Sequence, residues 1–387
     1  MFSRRLPPSL APNRISRAVD AARAAGSIPC DLTETNATSV GLRYPTDEIL
    51  RALADPRALV YEPTPHGLDE ARRAVAAYYR RHALEIDPAQ LFLTASTSEA
   101  YAWLFKLLCD PGDHVLVPQP SYPLFDLLAG LESVEVAPYP LRYHGGWYLD
   151  VEEVRRALTE RTRAILVVNP NNPTGSFLRR DELDGLAALC AERGLALISD
   201  EVFADYGFLP DEGRVTTLAG ETRALTFVMS GLSKVVGLPQ LKLGWIHVGG
   251  PPLLRAEAAQ RLELIADTYL SVAAPVQHAA ARLLSLVDDL GAQIANRVRE
   301  NRATVARAVA GTSLGLLDAD GGWTAILRVP NTRSEEEWVL ALLSAGVLVH
   351  PGFFFDLPGQ AYLVVSLLVP PAMVTDGIAR SVACVEA

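Results

Sequence analysis

The stretch SGLSKVVGLPQLKLGWI, residues 230–246, contains a lysine, Lys234, whose immediate neighbours are small or apolar rather than charged. A second lysine, Lys242, follows eight residues later. The glycines of the stretch indicate that something large must come close to the backbone. An amine with so few charged neighbours is easily desolvated, which disfavours its charged form and makes it a ready nucleophile. The stretch therefore predicts a reactive lysine beside a bound molecule.

Around this stretch, short apolar runs alternate with helical patterns from about residue 46 to residue 285. Several runs are apolar almost throughout, as strands buried on both faces of a sheet should be. The alternation predicts an α/β fold with a mostly parallel sheet flanked by helices. The predicted strands are 90–96, 114–120, 163–170, 195–202, 224–230 and 243–249, and the clearest helical periods are 68–83 and 180–194.

The pattern changes after about residue 290. The predicted elements there are a long helix at 288–310 and strands near 323–329, 347–350 and 361–367. We predict that residues 286–387 form a smaller α+β domain, which the N-terminal segment 1–45 joins. Within that segment, residues 14–24 are predicted to form an amphipathic helix. The large domain is accordingly placed at residues 46–285.

The composition is that of a soluble protein, with 49% hydrophobic residues and a net charge of −10. The acidic balance disfavours nucleic acid and anionic membranes as partners, and no apolar run approaches the roughly 18 residues of a bilayer span.

The four cysteines form no CxxC pair and the seven histidines have no ligand-like spacing, so we predict neither disulfides nor a metal site. The arginine-rich N-terminus has the composition of a transit peptide, but its helical pattern assigns it to the fold. We expect a cytoplasmic protein.

Ligands of open α/β sheets bind beyond the carboxyl ends of the strands. The segments that follow the predicted strands are therefore candidates for a site, and all of them are polar or rich in glycine and proline. These segments are 94–100, 118–122, 169–175, 200–203 and 230–242.

Three of these segments, VVNPNNPTG, ISDEVF and SGLSKVVGLPQLKLGW, together resemble the signature of class I and II aminotransferases. The enzymes of that family have fold type I and depend on pyridoxal 5′-phosphate (PLP). The resemblance covers essentially the whole chain, and the ordered set of motifs is far more specific than any one of them. It implies a large PLP-binding domain, a smaller α+β domain, and a homodimer with shared active sites.

The resemblance assigns catalytic roles to Lys234, Asp200 and Tyr122 and a cofactor-binding role to Asn172. Lys234 is implied to be the Schiff-base lysine. Asp200, at the end of a buried strand, pairs with the pyridine nitrogen, and this ion pair makes the ring an electron sink. Tyr122 stacks on the ring, while Asn172 donates a hydrogen bond to the ring O3′.

The resemblance also implies a phosphate site. Ser96, Thr97 and Ser98 form its cup, because they open a helix whose N-terminal N–H groups can bind an anion. Ser233 and Lys242 join the cofactor-binding residues. Tyr61 is implied to reach a phosphate in the neighbouring subunit. As ordinary alternatives, the serines and the threonine could be a simple helix cap, and Tyr61 a surface tyrosine.

The sequence departs from the family pattern at three positions. Lys242 stands where an arginine is usual, which weakens the phosphate contact. Phe203 stands where a tyrosine usually donates to O3′, so we expect a raised pKa of the cofactor imine. Val364 stands where an arginine clamps the substrate carboxylate. The residues predicted to bind substrate, including substitutes for that arginine, are Asn36, Arg43, Asn172 and Arg328.

We therefore predict an aminotransferase that moves an amino group between an amino acid or amine and a 2-oxo acid. Loss of the carboxylate clamp keeps open an alternative within the same fold, a PLP-dependent decarboxylase, racemase, lyase or cyclase acting on an atypical substrate. A transcription regulator that carries this fold as an effector module is a further alternative. No helix-turn-helix extension or basic stripe supports it.

Overall fold

The eight-stranded sheet and its covering helices are seen in a computed structural model that describes residues 2–7, 9–359 and 361–387. The α-helices of this part of the chain are α1 (Arg14–Ala24), α2 (Thr46–Leu53), α3 (Asp69–Tyr79), α4 (Thr97–Leu108), α5 (Phe125–Leu131), α6 (Val151–Ala157), α7 (Arg180–Arg193), α8 (Leu232–Val235), α9 (Pro252–Tyr269), α10 (Ala274–Ser285), α11 (Leu290–Val309), α12 (Glu335–Ser344) and α13 (Pro371–Glu386). The strands are β1 (Cys30–Asp31), β2 (Leu91–Thr94), β3 (His114–Gln119), β4 (Glu135–Tyr143), β5 (Trp147–Leu149), β6 (Thr162–Val168), β7 (Ala196–Asp200), β8 (Thr226–Gly231), β9 (Gly244–Gly249), β10 (Gly315–Leu316), β11 (Thr324–Arg328), β12 (Val347–Leu348), β13 (His350–Pro351) and β14 (Tyr362–Ser366).

The large sheet has the strand order β2-β9-β8-β7-β6-β3-β4-β5. Its central strands β8, β7, β6, β3 and β4 run parallel to one another, and β9 and β5 pair antiparallel to their neighbours. Every residue of β7, β8 and β9 is buried. Helices cover both faces, which is why these strands are apolar throughout. The predicted α/β fold with a mostly parallel sheet is confirmed.

A second, four-stranded antiparallel sheet has the order β10-β11-β14-β13. A parallel pair of β1 and β12 ties the N-terminal segment to the C-terminal region. The hydrophobic core around this second sheet contains residues from Ile15–Val40 and Ile294–Ile378. It also contains a few residues from the loop after β7, including Val202 and Phe208. The cores on the two faces of the large sheet draw on residues between Ile49 and Leu290.

Most elements lie where the sequence predicts them. Helix α1 has the predicted bounds, because an asparagine caps its first turn and Ile15 and Val19 face the core. The predicted strand 347–350 is two short strands, β12 and β13, which pair with different partners. The sequence patterns did not predict β4, which lies between β3 and the edge strand β5, is half exposed and contains Pro138 and Pro140.

Two further findings concern residues 2–7, 9–359 and 361–387. None of the helices there combines the length and the apolar character that crossing a bilayer requires. The same part of the chain holds no group of three or more His, Cys, Asp and Glu side chains that could bind a metal ion.

Candidate active site

Four adjacent parallel strands, in the order β8-β7-β6-β3, end at one edge of the large sheet. Lys234, Asp200, Asn172 and Tyr122 each lie at or just after the carboxyl end of one of them. This edge is the usual ligand-binding edge of an open α/β sheet. The topology therefore brings together residues that are more than one hundred positions apart in the chain.

Lys234 lies on the short helix α8, directly after β8. Its Nζ is 4.9 Å from the ring centre of Trp323 and 5.7 Å from that of Phe203. Burial lowers the pKa of the amine, and the negative charge of Asp200 opposes this effect. The main-chain carbonyl of Lys234 accepts a hydrogen bond of 2.5 Å from the Tyr206 hydroxyl. The amine is thus held in a largely apolar environment that favours its neutral, nucleophilic form.

Asp200 ends β7 and is only 8% exposed. Its Oδ2 accepts a hydrogen bond from the Tyr101 hydroxyl at 2.8 Å, and its Oδ1 accepts one from the Val202 N–H at 3.2 Å. Burial raises the pKa of this carboxyl, while these hydrogen bonds and the Lys234 charge lower it. A buried carboxylate of this kind requires a cationic partner to stay charged.

The loop after β6 carries Asn172 in a tight turn, in which the Gly175 N–H donates to the Asn171 carbonyl at 2.8 Å. Gly175 has a φ of +69°, and a Cβ there would overlap the carbonyl oxygen of Gly321. The Gly321 N–H in turn donates to the Gly175 carbonyl at 2.9 Å. Glycine is therefore required at position 175 by both the backbone angle and the close approach of a second chain segment.

The N-terminus of helix α4 lies after β2 at the same edge. Ser96 is the cap residue, and its hydroxyl accepts a hydrogen bond from the Glu99 N–H at 3.2 Å. The N–H groups of Thr97 and Ser98, in the first turn, have no acceptor within the helix. The ordinary capping role predicted as an alternative is thus present, and it leaves donors free for an anion.

The remaining predicted cofactor-binding residues differ in exposure. Tyr122 is 36% exposed, and its ring meets Phe125 edge-on at 5.9 Å. Ser233 is half-buried beside Lys234, whereas Lys242 is exposed with a left-handed backbone, φ +56°. Tyr61 is 80% exposed and lies beside a cavity of about 330 Å³ whose lining also includes Leu59 and Leu270.

The predicted substrate residues are less clearly placed. The Asn36 side chain caps a short helical turn by accepting from the Thr38 N–H at 3.1 Å. Arg43 and Arg328 are exposed, and the Arg328 guanidinium lies over Gly315 on β10. None of these contacts joins them to Lys234 or Asp200.

Val364 occupies an apolar setting in the second sheet. It is 1% exposed, pairs directly across the strands with Ile326, and belongs to a cluster with Leu317, Phe355 and Leu357. The place where the resemblance puts an arginine is therefore filled by packed hydrocarbon.

Three residues that contact the site were not predicted from the sequence. Trp323 covers the Lys234 amine, Tyr206 binds the Lys234 carbonyl, and Tyr101 binds Asp200. Trp323 follows a Gly-Gly pair, which signals that another segment comes close to the backbone there. Tyr101 is the last residue of the segment TASTSEAY, so its place near the start of α4 could be read from the sequence. Neither signal identifies the partner across the fold.

The residues present fit the cofactor that the resemblance implies. Asp200 is a buried carboxylate in need of a cation, which a protonated pyridine supplies. The buried Oδ1 of Asn172 has no hydrogen-bond partner among the described residues, which leaves an acceptor open to a bound molecule, while the amide NH₂ would be the donor to O3′. The first turn of α4 offers N–H donors for a phosphate.

Comparison with known proteins identifies a family and many similar proteins, of which three are described. The family profile described as "Aminotransferase class I and II" matches residues 36–380. The chain is 28% identical over 215 residues to the glutamate-pyruvate aminotransferase AlaA of Escherichia coli K12, covering 55% of this chain and 53% of AlaA. It is 31% identical over 302 residues to the probable N-succinyldiaminopimelate aminotransferase DapC of Mycobacterium tuberculosis, covering 75% of this chain and 74% of that one.

Among solved structures, the alanine aminotransferase from Pyrococcus furiosus superposes with a TM-score of 0.87 and 25% identity over the full length of both chains. The alignment with AlaA spans about half the length of that relative, whereas the fold similarity extends over the whole chain.

Proposed function

This chain belongs to the family of class I and II aminotransferases, and we propose that it transfers an amino group between an amino acid or amine and a 2-oxo acid. In this proposal Lys234 is the Schiff-base lysine of a PLP-dependent enzyme. The observation that carries it is the arrangement of Lys234, Asp200 and Asn172 at the ends of three neighbouring parallel strands.

PLP, when bound, supplies an electron sink that stabilises negative charge developing at the substrate α-carbon. The residues that would hold it are Asp200 at the pyridine nitrogen, Asn172 at O3′, Tyr122 on the ring face, and the first turn of α4 at the phosphate, with Ser233 and Lys242 nearby. Phe203 has no hydroxyl, so it can contact the cofactor only through its apolar ring. The tyrosine hydroxyl that the family pattern leads one to expect at that position is absent from this chain.

Lys234 Nζ is the base of the proposed mechanism. It accepts the proton that leaves the substrate α-carbon, and this requires a neutral amine. Burial lowers the pKa of Lys234 and so raises the neutral fraction. Trp323 and Phe203, whose ring centres lie 4.9 Å and 5.7 Å from Nζ, exclude water from one side of the amine.

Asp200 keeps its partner cationic. The carboxyl is buried, and hydrogen bonds from Tyr101 and Val202 favour its charged form. A positive ring nitrogen beside it would stabilise that charge further, by the ordinary attraction of a desolvated ion pair.

The substrate differs from a standard amino acid in how its carboxylate is held. Val364 and Ile326 form an apolar wall where the family pattern has an arginine. Both side chains are packed inside the cluster, so we propose that any carboxylate of the donor is bound elsewhere, with Arg328 and Arg43 as the candidate partners.

We propose a homodimer that completes the site, with Tyr61 reaching the phosphate of the partner subunit. Support comes from exposed apolar side chains around the cavity beside Tyr61. Leu59 is 91% exposed and Val60 is 66% exposed, although both are large and apolar. Burial of such a patch against a second copy would remove this surface from water.

We further propose a large PLP-binding domain at residues 46–285 and a small domain formed by 1–45 and 286–387. The separation of the hydrophobic cores along these segments supports that division. A cytoplasmic location is proposed because all four cysteines are free thiols.

The test combines covalent labelling with product analysis. The protein is reconstituted with PLP, reduced with borohydride and digested, and the modified lysine is identified by mass spectrometry. The sequence contains only three lysines, Lys106, Lys234 and Lys242, so assignment is direct. We expect modification at Lys234 and none in a Lys234→Ala variant. Modification elsewhere, or none at all, contradicts the proposal.

Product analysis then separates transamination from other PLP chemistry. A panel of amino donors, including amines without a carboxylate, is added in the absence of an oxo acid. An aminotransferase releases the oxo product in one equivalent per site and converts the cofactor to its amino form. Continuous turnover of the donor without an acceptor would contradict the aminotransferase assignment.

A further inference from the structure

Tyr101 lies on α4, one turn after the residues proposed to hold the phosphate. Its side chain is 2% exposed, and its ring meets Phe125 edge-on at 5.5 Å and Phe105 at 5.9 Å. Its hydroxyl donates to Asp200 Oδ2 at 2.8 Å. The ring is therefore fixed by packing, and the hydroxyl has a charged acceptor.

The Tyr101 bond completes the contacts that orient the Asp200 carboxyl. Oδ2 is bound by the hydroxyl, and Oδ1 by the Val202 N–H at 3.2 Å. One bond to each oxygen fixes the rotation of the group about its Cβ–Cγ bond. Burial raises the pKa of the Tyr101 hydroxyl well above its usual value, and the charge of Asp200 adds to this effect, so tyrosine remains a donor.

A second buried tyrosine, Tyr139, shows that a buried tyrosine hydroxyl in this protein need not bind a carboxylate. Tyr139 on β4 is 1% exposed, and its hydroxyl donates to the main-chain carbonyl of Leu166 at 2.8 Å. That bond satisfies a buried hydroxyl and touches no charged group. Tyr101 has the same burial and bond length, but its acceptor is the carboxylate proposed to bind the pyridine nitrogen.

We propose that Tyr101 is the positioning residue of Asp200, fixing the orientation of the carboxylate and stabilising its charged form. The inference rests on the proposed function, because it concerns the group that Asp200 would face. It also links two parts of the cofactor site through one rigid helix: the N-terminus of α4 meets the phosphate, and its second turn holds the carboxylate. Hydrogen bonds to a charged group are stronger than neutral ones, so the contact is large enough to measure.

Four titratable side chains of the described structure interact with the Asp200 charge. They are the Tyr101 hydroxyl on α4, the Lys234 amine on α8, the Tyr122 hydroxyl after β3 and the adjacent Glu201 carboxyl. Among them, Lys234 and Tyr101 favour the charged carboxylate. Removal of the Tyr101 hydroxyl therefore leaves Lys234 as the main remaining side chain that does so.

The experiment compares PLP binding to the apo forms of the wild type, Tyr101→Phe and Tyr139→Phe, titrated by cofactor absorbance at a series of pH values. Each substitution removes one hydroxyl from a buried ring. We expect Tyr101→Phe to bind PLP about tenfold more weakly. The pH below which its affinity falls should also be higher than in the wild type. Tyr139→Phe should keep the wild-type affinity and pH profile.

A double variant separates positioning from a general structural role. In an Asp200→Asn background, Tyr101→Phe should change PLP affinity by less than about twofold, because the charged acceptor is already gone. The same tenfold loss in that background would overturn the proposal, as would a wild-type pH profile in Tyr101→Phe alone. Far-UV circular dichroism of each variant checks that the fold is retained.

Stability of the apoprotein gives a readout that does not depend on PLP. The Asp200 pKa is raised on folding, so its contribution to stability is present at low pH and is lost as pH rises through the unfolded value of about 4 toward the folded value. Tyr101→Phe should extend this loss to higher pH, and the double variant should abolish it. An unchanged profile in Tyr101→Phe overturns the inference. Failure of the wild type to bind PLP overturns only the proposed function.

Discussion

The ε-amino nitrogen of Lys234 lies 4.9 Å from the ring centre of Trp323, so a residue of the C-terminal segment covers the amine presented by the large sheet. Trp323 precedes β11, and its ring is almost fully buried against Phe203 and Tyr206. Two parts of the chain that are far apart in sequence therefore share control of the environment of the amine.

Replacing Trp323 with leucine should raise the pKa of Lys234. Burial is the main cause of its lowered pKa, and a smaller side chain admits water to Nζ. The measurement is competitive labelling of the apoprotein by an amine reagent across pH, read by mass spectrometry. The pH of half-maximal labelling should move upward for Lys234 and stay constant for exposed Lys242.

Trp338→Leu is the matched control for that experiment. Trp338 is a buried indole of the same hydrophobic core, but its Nε1 donates to the Pro330 carbonyl at 3.0 Å. It should lower stability without moving the Lys234 labelling curve. If the Lys234 labelling curve moved equally in both variants, the cause would be a general loss of packing in this core and not the loss of the Trp323 ring above the amine.

Glu201→Gln should remove a pH-dependent loss of stability from the apoprotein. Burial raises the pKa of Glu201 to about 7, whereas the unfolded chain has the ordinary value. The folded state therefore holds an extra proton between about pH 4.5 and pH 7, and stability falls across that window as pH rises, by at most about 1.4 kcal/mol per pH unit. The amide oxygen of the replacement side chain can still accept from the Leu218 N–H, which donates to the Glu201 carboxyl at 2.7 Å in the wild type.

Urea unfolding at several pH values measures the Glu201 effect. The wild-type curve should fall between mildly acidic and neutral pH more steeply than the variant curve. Parallel curves for the two proteins would show that Glu201 ionises in the fold as it does in the unfolded chain.

Gly175→Ala should destabilise the protein by about 2 kcal/mol or more. The position has a positive φ, and a Cβ would also overlap the Gly321 carbonyl oxygen. Gly194→Ala is the control, because Gly194 has nearly the same φ of +65° with nothing within 4 Å of a Cβ. It should cost about 1 kcal/mol. Thermal unfolding of both variants measures the difference, and equal losses would refute a close approach at Gly175.

Val364→Arg should destabilise the protein far more than Val364→Met. Both side chains are longer than valine, but only arginine brings an unpaired charge into the cluster with Leu317 and Phe355. We expect a loss of about 3 kcal/mol for arginine and about 1 kcal/mol for methionine. Denaturant unfolding, with and without a 2-oxo acid, measures both. Equal losses would show that the wall is open to solvent.

Mixed dimers test the proposed role of Tyr61. Lys234→Ala and Tyr61→Ala subunits, each inactive or weak alone, are unfolded together and refolded as a mixture. If Tyr61 serves the partner's site, each mixed dimer contains one intact site, so about a quarter of the sites in an equal mixture regain activity. No recovery on mixing would place Tyr61 outside the partner's site. Light scattering confirms the oligomeric state of every sample.

The sequence predicts the sheet and its strand-end segments from local signals, and the resemblance to the family singles out four residues within those segments. Buried parallel strands are apolar throughout, and the residues that follow them are read directly from the chain. The covering residues could not be predicted in this way. Trp323 acts on Lys234 only because the C-terminal segment places its ring over α8, and Tyr101 acts on Asp200 only because α4 packs against β8 and β9. The same limit applies to β4, whose prolines and exposed residues carry no strand pattern.

Hydrogen bonds join the loop that bears Asn172 to the C-terminal segment. The N–H groups of Asp320 and Gly321 donate to the Gly175 carbonyl, and the Thr324 hydroxyl donates to the Pro173 carbonyl at 3.0 Å. Any hinge rotation of β11 toward the large sheet must therefore move this loop with it or break these hydrogen bonds. Closure over a substrate would therefore also move Asn172, which is proposed to bind the cofactor ring. We expect substrates that bind tightly to slow the dissociation of the cofactor.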